Sequence, residues 1–238
     1  MSKAYYRYLA SKEFNKNGKK SKLMERLLQV KVIPDLIGPI NPSIELNFNF
    51  PSDEKLTKDD GESAIRPCIP GSFVRPGLTF NKPDIDIKIF DTVEDRHYSL
   101  LIVDPDVPDV ENESYKSYLH YLVPNLKLSA VTSKQEFEQQ VKDNVKFDYL
   151  PPHPQKGTKY HRYSILLVEQ SKPINFDKEI NRDGFDTRSY IHDVEGNVEA
   201  ASMWRAVWDE DTTKVYNEVL KTHEPIYGIP KKISRYLL

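Results

Sequence analysis

Polar and apolar residues alternate along two stretches of the chain in the manner typical of half-buried β-strands. Residues 43–50 and 84–91 each place an isoleucine, leucine or phenylalanine at every second position. Because successive side chains of a strand point to opposite faces, a period of two gathers these apolar groups on one face. Both stretches are therefore predicted to be strands with one face on the core and the other toward solvent.

Three further stretches are apolar without alternation, which predicts strands that are covered on both faces. Residues 98–103 and 164–168 are dominated by leucine, isoleucine and valine, and residues 119–124 form a shorter run of the same kind. A central strand meets hydrophobic partners above and below, so its polar positions disappear. These runs are predicted to form the middle of a sheet.

Helical signals are few and short. Leucines on one face predict a helix over 22–30, which Pro34 stops. A capping box of Ser133 and Glu136 predicts a second helix, and Asp211 is predicted to cap a third near the carboxyl terminus. Strands thus dominate the pattern. We predict a mainly-β (α+β) fold with peripheral helices and with extensions at both termini.

The formal net charge of −2, from 34 Lys and Arg against 36 Asp and Glu, conceals an uneven distribution. Residues 1–31 have a net charge of +7 and residues 221–238 a net charge of +3, whereas the segment 32–220 has −12. Because basic charge concentrated on a tail raises its affinity for polyanions, this separation indicates basic arms on an acidic body.

The amino-terminal arm combines its basic residues with the aromatic rings of Tyr5, Tyr6, Tyr8 and Phe14. Aromatic rings stack on unpaired bases, while Lys and Arg neutralise phosphates. We therefore predict that this arm binds RNA, and a mitochondrial targeting segment and a solvated basic tail are the alternatives. The residues assigned to RNA binding are Lys3, Arg7, Lys12, Lys16, Lys19 and Lys20.

Two features of the composition exclude whole classes of protein. Cys68 is the only cysteine, which excludes an internal disulfide framework and a thiolate zinc cluster. No run approaches the roughly 20 consecutive apolar residues that a membrane span requires. Hydrophobic residues make up 38% of the chain, which is enough for a core and excludes wholesale disorder.

Three polar segments adjoin the predicted strands. They read D-P-D-V-P-D at 104–109, Y-L-H-Y-L-V-P-N at 118–125, and P-P-H-P-Q-K-G-T-K-Y-H-R-Y at 151–163. Their order and content resemble the phosphatidylethanolamine-binding protein family across about residues 30–175. That family has a D-P-D-x-P turn, a histidine before an apolar strand, and a proline-rich loop that ends in G-T-x-x-H-R-Y.

The resemblance implies a β-sandwich-like domain with a small anion pocket. In that family the histidines and the tyrosine donate hydrogen bonds to a phosphate, and the aspartate fixes a tautomer or keeps an imidazole protonated. The residues that line up with this pocket are Asp104, His120, His161 and Tyr163, and His153 joins them from the loop.

The loop at 151–155 departs from the family, which has small residues where this chain has P-P-H-P-Q. Prolines lack the N–H donor that approaches an anion, and His153 adds bulk where glycine admits a phosphate. We therefore predict that the pocket is vestigial and that its residues satisfy one another inside the fold. Retention of a weak phosphate-type ligand is the alternative.

A narrower resemblance is to the branch of this family found in the large subunit of the mitochondrial ribosome. It rests on the helical entry at 24–35 and on the carboxyl-terminal run at 204–227, which extends beyond simple family members. The expected organisation is a basic arm with a helix at 1–31, a β domain at 32–200, and a helical extension at 201–238 that packs on the domain. The resemblance implies a structural component of mitochondrial ribosomes in the matrix, with rRNA and ribosomal proteins as partners.

A soluble regulator of cytoplasmic location, which captures phosphate head groups or inhibits a kinase or protease, is the main alternative. It requires an open pocket at Asp104, His120 and His161. Hydrolysis with His161 as base lacks a nucleophile motif, so no catalytic residue is predicted and the chain is not expected to be an enzyme. The spacing of His120, His153 and His161 matches no metal-ligand pattern, so neither a metal nor a cofactor is expected.

Overall fold

Two antiparallel β-sheets form the body of the protein. The computed structural model describes residues 4–16, 18–50, 68–91, 96–175 and 179–228. In the smaller sheet, β1 (Glu45–Asn49) pairs with β2 (Asp84–Lys88). The larger sheet has the strand order β4-β3-β5-β6. Its strands are β3 (His97–Asp109), β4 (Ser114–Lys127), β5 (His161–Gln170) and β6 (Asn197–Ala206).

Helices surround these sheets at the termini and in the connections. Before the first strand lie α1 (Ala4–Lys16), α2 (Lys19–Gln29) and the short α3 (Val32–Asp35). Later in the chain are α4 (Lys134–Asn144), α5 (Thr187–Asp193) and α6 (Glu210–Lys214), which continues as a π-helix over Val215–Leu220. A 3₁₀ turn occupies Pro76–Thr79. None of the helices in the described ranges is long and apolar enough to cross a membrane.

Both faces of the larger sheet are buried, which confirms the prediction for the continuous apolar runs. In β3, Leu100 and Ile102 pack on the side of the two-stranded sheet, with Phe48 of β1. Leu101 and Val103 point to the opposite side and pack against α2, α3 and α5. The β-sandwich with peripheral helices that the sequence predicts is confirmed.

The carboxyl-terminal part of the chain continues the sheet before it becomes helical. Residues 197–206 pair with β5, so the expected boundary between residues 200 and 201 falls within β6. Asp209 lies in an extended conformation directly before α6, and its side chain accepts hydrogen bonds from the backbone N–H groups of Asp211 and Thr212. The prediction that Asp211 caps this helix was therefore wrong by two residues. The capping box of Ser133 and Glu136 ahead of α4 is confirmed.

The amino-terminal arm is helical and is docked on the body. The side chain of Phe14, on α1, is 2% exposed, and its ring lies 5.6 Å from that of Phe90. On α2, Leu23 and Leu27 are buried against the larger sheet. Burial of these side chains fixes both helices on the domain, since apolar area removed from water stabilises such contacts. Phe14 is therefore a core residue and is not available to stack on a base.

Arg162, near the start of β5, joins the arm to the sheet. Its guanidinium donates bidentate hydrogen bonds of 2.6 to 3.1 Å to the carboxylate of Asp106 on β3. It also donates to the carbonyl oxygens of Val30 and Lys31, and to the carboxylate of Asp35 at 2.9 Å. Burial alone lowers the pKa of Arg162, but the two carboxylates outweigh it and raise the pKa above its usual value. The guanidinium thus stays charged, and it ties the segment after α2 to both central strands.

Replacing Arg162 with leucine leaves the half-buried carboxylate of Asp106, whose side chain is 17% exposed, without its partner. We expect the free energy of unfolding to fall by about 3 kcal/mol, the lower end of the usual cost of breaking a buried ion pair from one side, because solvent partly screens this carboxylate. Hydrogen exchange should also rise over residues 19–35, because the carbonyl contacts are lost. The control is Lys134→Leu, which breaks an exposed pair with Asp84 and should cost less than about 1 kcal/mol. Unchanged exchange over 19–35 in Arg162→Leu would contradict the docking role.

Candidate functional site

The five residues predicted to form the pocket lie together at one end of the larger sheet. The imidazole Nδ1 of His161 lies 2.7 Å from a carboxylate oxygen of Asp104. Its Nε2 lies 2.9 Å from the hydroxyl of Thr158, which also donates to the carbonyl of Gln155 at 2.7 Å. The pairing of β3 with β5 brings these residues to the same end of the sheet, since Val103 pairs with Ser164, Asp104 directly follows Val103, and His161 lies three residues before Ser164.

Three aromatic rings complete the cluster beside the His161–Asp104 pair. The ring of His120 lies 4.9 Å from that of His153 and 5.1 Å from that of Tyr163, measured between centroids. Nδ1 of His120 donates to the carbonyl of Leu150 at 2.8 Å, and Nδ1 of His153 donates to that of Pro151 at 2.8 Å. None of the five side chains belongs to a residue more than 6% exposed.

The proline-containing loop fills the pocket with the ring of His153. This ring packs edge-on against Tyr118 at 5.2 Å and against Tyr216 at 5.5 Å. The hydroxyl of Tyr216 donates to the backbone carbonyl of His153 at 3.0 Å. Tyr216 comes from the π-helix, so the carboxyl-terminal segment holds the loop in place.

A second contact from the carboxyl-terminal segment fixes the far side of the same loop. The backbone N–H of Tyr227 donates to the carbonyl of Lys156 at 2.7 Å. Gly157, with φ of +89°, lies so close that a Cβ there would be 1.5 Å from the carbonyl oxygen of Tyr227. Only glycine permits both this conformation and this approach. Sequence reasoning missed Thr158, Tyr216 and Tyr227 at the site, although the apolar stripe of 215–220 correctly indicated a packed helix that contains Tyr216.

Charge in the cluster is balanced between Asp104 and His161. Burial by itself raises the pKa of Asp104, but the charge and hydrogen bond of His161 outweigh it, so that the pKa is lowered. Burial by itself lowers the pKa of His161, but Asp104 reverses this effect and raises it. The pair is therefore a carboxylate and an imidazolium whose charges cancel.

The other two histidines are neutral. Burial, followed by repulsion from His153, lowers the pKa of His120 to about 3, and burial also lowers the pKa of His153. Because Nδ1 of each ring donates to a backbone carbonyl, Nε2 carries the lone pair in the neutral tautomer. A lone pair accepts hydrogen bonds and does not donate them. These two imidazoles therefore present acceptors where an anion requires donors.

The protonation state of His161 also determines whether it can act as a general base. Thr158, His161 and Asp104 follow one another at hydrogen-bond distances, in the order of a nucleophile, a base and an acid. A histidine whose pKa is raised holds its proton, however, and does not accept one from a hydroxyl. The hydroxyl of Thr158 already donates to the carbonyl of Gln155. The hydrogen bond from Thr158 to Gln155 closes the turn over residues 155–158.

Two polar atoms of the cluster lack a hydrogen-bond partner among the described residues. They are Nε2 of His120 and the hydroxyl of Tyr163, both fully buried and without a hydrogen bond of good geometry to the described residues. Burial and then the nearby Asp104 carboxylate raise the pKa of Tyr163 well above its usual value, so the phenol keeps its proton. Buried polar atoms of this kind normally have a hydrogen-bond partner, and of these two only the hydroxyl of Tyr163 can donate.

Of the residues predicted to bind RNA, those that the structure describes lie on α1 and at the start of α2. On α1, Tyr5, Tyr8, Lys12 and Lys16 follow a helical spacing on the face opposite to the buried Phe14. All four are exposed, and the two tyrosines are 66% and 60% exposed. The structure thus presents basic and aromatic side chains as one outward stripe.

The remaining predicted RNA ligands are arranged less uniformly. The ammonium of Lys19 lies 2.7 Å from Glu13 and 3.5 Å from Glu45, so its charge is already paired. Arg7 and Lys20 are half-buried. Lys3 lies outside the described residues.

Comparisons with known proteins identify the fold and the most similar sequences. The family model described as phosphatidylethanolamine-binding protein matches residues 45–215. The large ribosomal subunit protein mL38 of Schizosaccharomyces pombe is 29% identical over 214 residues, which cover 85% of this chain and 62% of that protein. The putative odorant-binding protein A5 of Drosophila melanogaster is 31% identical over 140 residues, 56% of this chain and 59% of that protein. The chain thus spans about three fifths of the length of each of these relatives.

A solved structure supports the same assignment of the fold. The phosphatidylethanolamine-binding protein from Plasmodium vivax superimposes with a TM-score of 0.55 at 18% identity. The match covers 78% of this chain and 97% of that one. At this level of identity the likeness concerns the fold alone.

The neutral, buried histidines predict a specific dependence of stability on pH. The unfolded chain protonates His120 below about pH 6.5, whereas the folded chain resists protonation down to about pH 3. The free energy of unfolding should therefore decrease as the pH falls from about 6.5 to 5, by up to about 1.4 kcal/mol per unit from this residue. His161, whose pKa is raised in the folded state, adds a slope of the opposite sign near pH 6.5, and this contribution fades toward pH 5 as the unfolded chain becomes protonated as well.

Chemical denaturation of His120→Gln at several pH values measures this contribution, since glutamine keeps a donor for the Leu150 carbonyl but does not titrate. The free energy of unfolding should depend less steeply on pH in this variant than in the unsubstituted protein. The matched control is His192→Gln, because that side chain is 91% exposed. Equal slopes in all three proteins would show that His120 is not held neutral.

Proposed function

Because the chain belongs to the phosphatidylethanolamine-binding protein family, we propose that it uses this fold as a structural component of the mitochondrial large ribosomal subunit. In this role it binds rRNA and neighbouring ribosomal proteins in the mitochondrial matrix, and it is not an enzyme. The observation that carries the proposal is the similarity to mL38 over 85% of the chain, which exceeds the extent of the family domain at 45–215.

The outward stripe on α1 supports RNA binding through the arm. Lys12 and Lys16 supply positive charge, and Tyr5 and Tyr8 supply exposed rings on the same face. Phosphate contacts from Lys give affinity and position, whereas rings stack on unpaired bases. The division into an arm at 1–31, a β domain and a carboxyl-terminal extension is part of this proposal, with the arm held rigidly by Phe14 and Arg162.

The filled pocket supports a structural role in preference to capture of a small ligand. His153 occupies the space beside His120, and Tyr216 and Tyr227 hold its loop closed. The charges of Asp104 and His161 cancel, so the cluster offers no net positive charge to a phosphate. We propose that Asp104, His120, His153, His161 and Tyr163 form a vestigial pocket that now stabilises the fold.

Association with ribosomes should depend on the stripe of α1. The test variant carries Lys12→Glu and Lys16→Glu, and the control carries Lys142→Glu and Lys172→Glu, the same charge change at exposed positions of the body. In sucrose gradients of mitochondrial lysate, the control should sediment with the large subunit and its rRNA, whereas the test variant should be released at lower salt. The slope of log binding constant against log salt concentration should become shallower by the amount expected for the loss of about two phosphate contacts. Sedimentation of the original chain as a free monomer would refute the ribosomal role.

A soluble regulator that binds phosphate-type ligands is the second candidate. The observation that favours it is the buried hydroxyl of Tyr163, a donor that has no hydrogen-bond partner among the described residues. The similarity to a putative odorant-binding protein is consistent with a ligand-binding role as well.

Titration with inorganic phosphate and with phosphoethanolamine separates the two candidates. Because the pocket is filled and lacks net positive charge, the imidazole NMR signals of His120 and His161 should not shift saturably at millimolar ligand. A His153→Gly variant serves as the comparison, since it restores the space and the small residue of the family loop. Saturable shifts in the original chain would support the regulator and contradict the vestigial pocket.

A further inference from the structure

An exposed cluster of two aromatic rings and one guanidinium lies outside the pocket and outside the arm. The guanidinium carbon of Arg205, on β6, lies 4.2 Å from the ring centroid of Phe73 and 5.2 Å from that of Tyr160. The two rings stand 6.0 Å apart at 87°. Phe73 belongs to a segment that runs parallel to β6, and Tyr160 directly precedes β5. Three separate parts of the chain thus meet in one surface feature, which we call the Phe73 platform.

The backbone of the platform is held by hydrogen bonds, whereas its aromatic side chains are exposed to solvent. The N–H of Arg205 donates to the carbonyl of Ser72, and the N–H of Val74 donates to that of Arg205, both at 2.9 Å. Yet Phe73 is 54% exposed and Tyr160 is 39% exposed. A large apolar ring that stays exposed is hydrated unfavourably, and it adds no buried area to the hydrophobic core. Phe73 and Tyr160 lie 6.0 Å apart and so form a contiguous exposed patch, and such patches mark binding surfaces more often than single exposed rings do.

The charge around the platform is basic. Nε of Arg205 donates to the carbonyl of Gly71 at 2.8 Å, and no carboxylate among the described residues pairs with its guanidinium. Lys159, next to Tyr160, and Arg75, two residues after Phe73, are both exposed. Within the described residues the surface therefore combines stacking planes with positive charge that no carboxylate pairs, although the segment 32–220 as a whole carries a net charge of −12.

The platform is continuous with the amino-terminal arm. The side chain of Arg26, on α2, passes over Gly71, where its Cδ lies 3.9 Å from the position that a Cβ would occupy. The same Gly71 accepts the hydrogen bond from Arg205. One helical turn before Arg26 lies Lys22, and both of these residues are exposed. A basic path thus runs along α2 and ends at the platform.

We propose that the Phe73 platform binds an unpaired nucleotide of a single-stranded RNA segment whose phosphates follow the basic path of α2. The inference rests on the proposed RNA-binding function and extends it from the arm to the body. A base stacks on the ring of Phe73 or Tyr160. The planar guanidinium of Arg205 is a third surface on which a base can stack. Arg26 and Lys22 lie where neighbouring phosphates would be neutralised.

The chemistry of the cluster favours RNA over a protein partner. A protein hot spot of this size is typically an apolar pocket surrounded by contacts that exclude water. Here two exposed rings flank a cation, and the exposed Arg75 and Lys159 lie beside them in the sequence. Aromatic rings interleaved with Arg and Lys are the pattern of single-strand binding, because every base has a π-face and every nucleotide has a phosphate.

Fluorescence of a single-stranded RNA 12-mer that contains 2-aminopurine tests the proposal, since stacking on a ring quenches this base. The test variant is Phe73→Leu with Tyr160→Leu, which keeps apolar bulk and removes both rings. The matched control is Tyr115→Leu, which removes a ring that is 70% exposed elsewhere on the body. The test variant should lose the quenching and should bind at least about fivefold more weakly, the lower end of the effect of one stacked base. Its salt dependence should not change, because no charge is removed.

The outcomes separate this proposal from the proposed function. If the test variant binds and quenches like the control while the Lys12 and Lys16 variant is weakened, the platform proposal is overturned and the arm proposal stands. If the original chain binds neither the 12-mer nor ribosomes, the RNA-binding function itself fails. If Phe73 is needed for ribosome association but not for binding of the 12-mer, the platform contacts protein, which also overturns the proposal.

Discussion

The guanidinium of Arg162 holds together the parts of the protein on which its proposed role depends. It binds Asp106 on one central strand, its own backbone lies on the next strand, and its remaining donors reach the carbonyls after α2 and the carboxylate of Asp35. The three nitrogens of the planar guanidinium make these contacts simultaneously, which a lysine ammonium cannot do. The arm is consequently part of the folded body. This gives its exposed stripe, and the basic path along α2, a fixed orientation toward a partner.

The pocket shows how the same fold supports a different role. A phosphate site needs space, donors and positive charge, and each of these is removed here by a specific contact. His153 fills the space, the carbonyls of Leu150 and Pro151 turn the neighbouring imidazoles into acceptors, and Asp104 cancels the charge of His161. The five side chains thus form an interior polar network. In our proposal, the surfaces that bind a partner are the arm and the Phe73 platform.

Much of the fold could be predicted from the sequence because the core strands are simple. The alternating and continuous apolar runs specify half-buried and central strands, and the three polar motifs specify the family and the residues that meet at the pocket. The closure of that pocket could not be predicted, because Tyr216 and Tyr227 reach the loop only through tertiary packing. The helix α1 was also missed, since it buries little besides Phe14 and so lacks an apolar stripe. The platform was missed because Phe73, Tyr160 and Arg205 are far apart in the chain.

A cryo-electron microscopy map of mitochondrial large ribosomal subunits that contain this chain tests the central claim most directly. The account predicts that the stripe of Tyr5, Tyr8, Lys12 and Lys16 faces rRNA, that the ring of His153 fills the pocket, and that the arm keeps its contact with Arg162. Absence of the chain from purified subunits would contradict the account. So would a bound chain whose arm projects into solvent while an open pocket holds a ligand.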